Sequence, residues 1–388
     1  MKKEKQPSLD LIRAVSIIAI LLEHYSFSFL QFNIQGTYIP FLKFANGDWG
    51  GTFVACFFML SGAALIYNYP TFVKDGESGF AAHIKGTLKF YWKRIITIYP
   101  LFYFCWIIFY YLTSRAIKLW NWGGDWSNLW YTVFGVDGYF LHLHFNYFCV
   151  GEWFLGAIII LYLLFPLVRF CFMHLRWPST VILTGLFFLN IFRFNFTSAP
   201  DTNIFIVFIK WYDSTFSVPD SRNIITCLMY FWLGMLLITY RKALINRVTG
   251  IISLVLMILM LLFPIPDFYN EIITDGISAF LIFIMLACIA PAVMKVAPLK
   301  KICLFVGKYS YCCFLIHHQI LYLIMPRFSG VTFNYITSLL LFIAYFLVVL
   351  AVSFIFTNIV DFIMGIVLHP VRSYNVLVEK IAVVRKDR

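Results

Sequence analysis

SLDLIRAVSIIAILLEH, residues 8–24, is an apolar helix-forming run that carries Asp10, Arg13, Glu23 and His24 where hydrocarbon side chains would be expected. At about 100° per residue the step from Arg13 to His24 makes about three turns, so the two share one face, ~16 Å apart along the axis. Asp10 stands three residues before Arg13, the spacing at which side chains meet on a helix surface, and supplies the guanidinium with a carboxylate partner. An ionisable group inside a membrane span costs about 3 kcal/mol on insertion scales and turns toward protein or a wet cavity. Two of the four have another outlet: Asp10 as an interfacial residue near the helix start, and Arg13 by reaching back to lipid headgroups. Glu23 and His24 lie roughly 20 Å beyond Leu11, past the midplane of a ~30 Å hydrocarbon layer. A helix with this burden does more than anchor the chain.

The composition sets the class. Of 388 residues 62% are hydrophobic and only 12% charged, with 44 Phe, 23 Tyr and 11 Trp. Soluble globular chains are about half apolar and a quarter charged, so the fold class is all-α, a polytopic membrane helix bundle. MKKEKQ leads into the first span without a small-residue cleavage site, which reads as a retained helix and not a removed signal. The nine cysteines, among them Cys56, Cys149, Cys303, Cys312 and Cys313, lie mostly in apolar runs without disulfide or metal spacing, and read as small buried hydrophobes. No metal and no nucleic-acid partner are expected.

Segments long enough to span fall at about 11–31, 52–69, 95–113, 153–173, 179–195, 223–240, 248–264, 276–294, 309–326 and 334–360, which predicts about ten helices. With the N-terminus cytoplasmic, 22 of the 30 Lys and Arg fall in inside segments and seven outside, Arg13 lying within the first helix. That bias predicts both termini in the cytoplasm, in keeping with a cell inner membrane, with residues 369–388 a cytoplasmic tail. The net charge of +12 thus follows topology. No repeat, low-complexity linker or appended soluble domain is evident, so 1–388 reads as one membrane domain. Walker, GxGxxG, GxSxG and HExxH motifs are absent from the sequence.

The outer segments 32–51, 114–152 and 196–222 are rich in aromatics, with WNWGGDW and YFLHLHFNYF in the second, and hold Asp125, Asp137, Asp201, Asp213 and Asp220. Two readings stand: interfacial anchors, or an acceptor site in which Trp and Tyr faces beside carboxylates bind sugar rings. The small residues Gly50, Gly51, Ala55, Ser61, Gly62, Ala63 and Ala64 point to close helix packing, with Ser61 also able to donate into a site. The basic stretch 74–94, ending in Lys93 and Arg94, suits either anionic lipid or the phosphates of a cytoplasmic ligand. Glu152 and Trp153 sit at the outer boundary of the fourth span. Tyr311, His317 and His318 lie in the ninth; the two adjacent histidines point ~100° apart, so one at most is expected in a given site.

Five motifs in order resemble the acyltransferase-3 superfamily of membrane acyltransferases. They are SLDLIRAVSIIAILLEH, with its Arg-to-His spacing of ten intervening residues; FFMLSGAALI; FYWKRIITIYPLFY; WFLGAIIILYLLFPLV; and GKYSYCCFLIHHQI. The resemblance implies transfer of an acyl group, most often acetyl from cytoplasmic acetyl-CoA, to a sugar hydroxyl of a cell-surface or exported polysaccharide. It implies His24 as catalytic histidine with Arg13 its paired arginine; Asp10 and Glu23, from their places on the same helix, complete the expected catalytic set. The donor would be held by Arg13, Lys93, Arg94 and Ser61, and the acceptor side lined by Glu152, Trp153, Tyr311 and His317. Where the family often has arginines three apart, this chain has Arg94 followed by Thr97, with Lys93 alongside. A solute- or proton-coupled transporter also places Asp, Arg, Glu and His inside helices. A non-catalytic subunit of a polysaccharide-export assembly is the third class, and it would tolerate loss of His24.

Overall fold

Helix α1 (Pro7–Gln31) runs through the middle of the molecule, packed against α2 (Trp49–Asn68), α8 (Glu271–Val293), α9 (Ala297–Ile324) and α10 (Tyr335–Leu368). The structure, a computed structural model, describes residues 6–36, 49–73, 79–116, 126–141, 153–193, 204–215, 222–262 and 271–368. Between these helices lie α3 (Phe80–Ala116), α4 (Trp153–His174), α5 (Arg176–Phe192), α6 (Ile224–Thr239) and α7 (Arg247–Leu262).

Pro7 opens α1, where its missing N–H would have no intrahelical acceptor, and Asp10 in the first turn faces the positive end of the helix dipole. Beyond the last turn Asn33 takes a left-handed φ of 52°, a conformation Asn tolerates, and turns the chain into a two-residue strand, Gln35–Gly36. This strand pairs in parallel with Thr332–Phe333, Gln35 opposite Thr332, tying the end of α1 to the α9–α10 connection. Inside the bundle the Tyr25 hydroxyl donates to the Ser338 carbonyl at 2.7 Å and that of Tyr345 to the His317 carbonyl at 3.2 Å. These bonds lock α1, α9 and α10 together beside the histidines.

Of the small residues of α2, Gly62 packs against a neighbouring helix as expected. A Cβ on Gly62 would collide with the Phe231 carbonyl, and one on Gly234 with the Met59 carbonyl, so α2 and α6 approach backbone to backbone. Outward faces such as Leu340, Leu347 and Phe362 of α10, and Ile251, Val255 and Leu259 of α7, are exposed hydrocarbon. A face of that kind belongs against lipid.

Six described helices are long and apolar enough to cross a membrane: Pro7–Gln31, Gly50–Asn68, Phe80–Phe109, Trp153–His174, Ile272–Val293 and Tyr335–Leu368. The other four expected segments fall on α5, α6 and α7, of 17, 16 and 16 residues, and on α9, which is 28 residues long but more polar. The fold is all-α in its described residues apart from the paired dipeptides. The third span, expected to begin near residue 95, starts earlier: residues 80–94 of the basic stretch are the first turns of a 37-residue helix that Pro100 does not interrupt. Asp137, read as an outer acid, is buried at 1% exposure, accepting from the Thr132 hydroxyl at 3.1 Å and the Gly138 N–H at 2.9 Å. It holds a small turn together. Glu152 and the tail 369–388 lie outside the described residues.

Candidate active site

Two cavities lie end to end along α1. The first, of about 280 Å³, is lined by Arg13, Ser61 and Arg94, with Tyr162, Tyr311 and Phe57 among its aromatic walls. Arg13 reaches the Asp10 carboxylate at 3.4 Å, as its helical spacing predicts. Arg94 lies among the rings of Tyr69, Phe90 and Tyr162, 5.6–5.7 Å from their centroids, and one of its terminal nitrogens stands 3.4 Å from the Tyr69 hydroxyl. Its buried Nε meets no acceptor among the described residues. A guanidinium held by aromatic faces, with donor capacity left over beside a cavity, is built to receive an anion. Lys93 is exposed, its ammonium 5.9 Å above the Tyr69 ring, and does not line this cavity. Tyr311, expected on the acceptor side, lines the first cavity instead, its hydroxyl donating to the Ile98 carbonyl at 3.1 Å. Five residues separate it from His317, which is ~9 Å along the helix and well round its circumference.

The second cavity, of about 220 Å³, is lined by Glu23, His24, Trp153, Arg222, Tyr230 and Asp275. Two carboxylates meet the start of α2 there. A Cβ on Gly50 would overlap the Glu23 carboxylate, and one on Gly51 the Asp275 carboxylate, so glycine at both positions admits the acids to the positive end of that helix. The Thr52 hydroxyl fixes Asp275 with a 2.7 Å hydrogen bond. Arg222 stacks 5.6 Å over Trp153.

Phe154 and Phe314 line both cavities, their rings 5.1 Å apart and nearly edge to face. They form the partition between the Arg13 end and the His24 end.

On the far side of that partition three imidazoles gather. The His24 ring centroid is 5.0 Å from that of His317 and 4.2 Å from that of His318, which are 4.4 Å from one another. The expectation that only one of the adjacent pair would share a site with His24 is therefore corrected. His24, coming from the neighbouring helix, faces the groove between the two, and rings diverging at Cβ still converge on it. The backbone carbonyl of Phe314 lies 2.7 Å from His317 Nδ1, which leaves Nε2 as the nitrogen pointing away from the helix.

A sequence family described as an acyltransferase domain matches residues 6–358. The chain belongs to the acyltransferase-3 family. No curated protein and no solved structure matches it. As a membrane acyltransferase, it has a basic chamber and a histidine chamber at opposite ends of its first helix.

Of the residues expected in the site, Arg13, Ser61, Arg94 and Tyr311 come together in one cavity, and Glu23, His24 and Trp153 in the other, with His317 against His24. Asp275 and Arg222 are additions. Asp275 stood one residue outside an expected span, among outer loop charges, although a carboxylate at the edge of an apolar helix is itself a signal of function. Arg222 carried no signal beyond its charge.

Proposed function

We propose that this acyltransferase moves an acetyl group from cytoplasmic acetyl-CoA to a sugar hydroxyl of a polysaccharide, or of its lipid-linked precursor, on the outer side of a bacterial cell membrane. The observation that carries the reading is the pair of unlike cavities meeting at Phe154 and Phe314. The first has two guanidiniums and suits the anionic head of CoA. The second has carboxylates, a Trp face and an imidazole, which suit a polyol.

In this reading Arg94 and Arg13 hold the donor, with Asp10 orienting Arg13, and the pantetheine arm carries the thioester along α1 past the aromatic partition. An acceptor hydroxyl hydrogen-bonds to the carboxylates of the second cavity. His24 takes its proton as the oxygen attacks the thioester carbonyl. The tetrahedral intermediate collapses by breaking the carbon–sulfur bond, and the CoA sulfur leaves with the proton returned from His24. Donor and acceptor never share a mouth, which gives a membrane bundle its purpose here.

The test is to compare surface glycans from cells with and without the gene by mass spectrometry, looking for the increment of one acetyl group per modified sugar. Purified protein should release free CoA from acetyl-CoA only when acceptor is present. Unchanged glycans would remove the polysaccharide. Labelling introduced cysteines at positions 78 and 128 with a membrane-impermeant maleimide on intact cells should modify 128 alone; the reverse pattern would exchange the donor and acceptor sides.

A further inference from the structure

The three imidazoles support more than base catalysis. The candidate metal-binding nitrogens of His24, His317 and His318, one from each ring, all lie within 4.8 Å of one another. We propose that they form a binding site for a divalent transition-metal ion of the zinc class, and that its occupation switches the acyltransferase off.

Zinc binds imidazole nitrogen at about 2.0–2.1 Å, so three nitrogens around one tetrahedral ion stand about 3.3 Å apart. The gap from 4.8 Å is within the reach of small χ rotations of three side chains on two packed helices. The second coordination requirement is already met at one ligand. Metal-bound histidines commonly donate their other ring N–H to a carbonyl, and the Phe314 carbonyl at 2.7 Å offers that role to His317 Nδ1, leaving Nε2 for the ion. Tyr345, bonded to the His317 carbonyl, and the ring contact between Phe314 and His317 at 5.8 Å hold the ligand's backbone and ring in place.

An all-nitrogen set suits zinc, copper, nickel or iron and gives no purchase to magnesium or calcium, which prefer oxygen. The route in is the second cavity. His24 lines it, and so do the Glu23 and Asp275 carboxylates, which raise the local concentration of a cation against Arg222, the one cation among its described lining residues. Three protein ligands leave the fourth position to water from that cavity.

The His24 lone pair cannot serve a metal ion and an acceptor proton at once. Metal occupancy and general-base catalysis are therefore exclusive. The binding site rests on geometry alone; the inhibition rests on the proposed role of His24 as base.

The experiment titrates zinc chloride into the full-length protein in nanodiscs by calorimetry, then replaces zinc with cobalt(II) and records the visible spectrum. One ion per chain is expected, with tetrahedral cobalt bands and no sulfur-to-cobalt charge transfer. His24→Asn, His317→Asn and His318→Asn should each weaken binding by at least about tenfold, the smallest loss that removal of an outer-shell partner already produces. Absence of stoichiometric binding overturns the site, as does affinity unchanged in all three variants. A thiolate band would put the ion on a cysteine and overturn it equally. The cobalt spectrum of the unaltered chain keeps the test informative should a variant misfold. In acyl-transfer assays zinc should inhibit and EDTA should restore activity; zinc bound through all three histidines without inhibition would keep the site and overturn the base reading instead.

Discussion

The chambers at the two ends of α1 differ in the sign of what lines them. The first presents Arg13 and Arg94 with no carboxylate among its described lining residues, Asp10 standing behind Arg13. The second presents Glu23 and Asp275 against Arg222, with His24 between them. Similar volumes on one helix thus present opposite charge, which in the proposed function suits an anion at one end and a polyol at the other. The long first helix sets Arg13 and the Glu23–His24 pair apart, and neighbouring segments add Arg94 at one end and Asp275 and Arg222 at the other.

The sharpest way to break this contrast is His24→Ala. General acid–base catalysis contributes about 10²–10⁴-fold, and transfer should fall by that much while CoA binding is untouched, because the arginines lie beyond the partition. Retained transfer in a properly inserted protein would take the histidine out of the mechanism. A parallel loss of CoA affinity would merge the two chambers into one site.

Arg94→Ala works from the other end. Hydrogen bonds to charged groups are worth about 1.5–3 kcal/mol, so affinity for CoA should drop by about 10- to 100-fold, with turnover at saturating donor little changed. Arg13→Ala should act in the same direction, and it leaves the Asp10 carboxylate near the donor without its cation. Lys93→Ala is expected to cost less than about 1 kcal/mol, the range of exposed charges. Equal losses from Lys93 and Arg94 in CoA titrations would mean that a diffuse surface field, and not the lined cavity, holds the donor.

Asp275→Asn probes the acceptor chamber more gently. The amide keeps an oxygen for the Thr52 hydroxyl but loses the charge that strengthens bonds to a donor hydroxyl. A rise of about tenfold in acceptor KM is expected, with donor affinity unchanged. Should the variant alter CoA binding and not acceptor KM, the assignment of the second cavity to the acceptor fails.

How much of this could be read from the chain alone depends on whether partners share a helix. Asp10 and Arg13, three apart, pair as periodicity demands, and Arg13 and His24 fall on the one face that both cavities touch. Arg94 and Ser61 were expected as donor residues through motif resemblance, and both line the first cavity. The meeting of Gly51 with Asp275, more than two hundred residues away, has no signature in spacing. Gly50 and Gly51 looked like packing residues because small size serves both purposes, and only the fold reveals that here the space is filled by carboxylates. His318 was discounted by a correct rule about one helix that a second helix, crossing over the pair, made irrelevant.

The partition itself offers the smallest expected effect and the most specific. Phe154 and Phe314 are the shared wall, so trimming one ring should let water pass toward a bound thioester without supplying an acceptor. Closed active sites suppress that side reaction. Phe314→Ala should therefore raise acceptor-independent hydrolysis of acetyl-CoA on the order of a few-fold, measured as free CoA released in the absence of glycan. Because Phe→Ala in a core also costs about 3–5 kcal/mol of stability, Phe314→Leu serves as the companion, keeping most of the volume and hence most of the barrier. Hydrolysis that rises in the alanine variant and not in the leucine variant marks the ring as a seal. If neither Phe154→Ala nor Phe314→Ala leaks, the thioester reaches His24 by a path other than the shared wall, and the two chambers are joined elsewhere in the bundle.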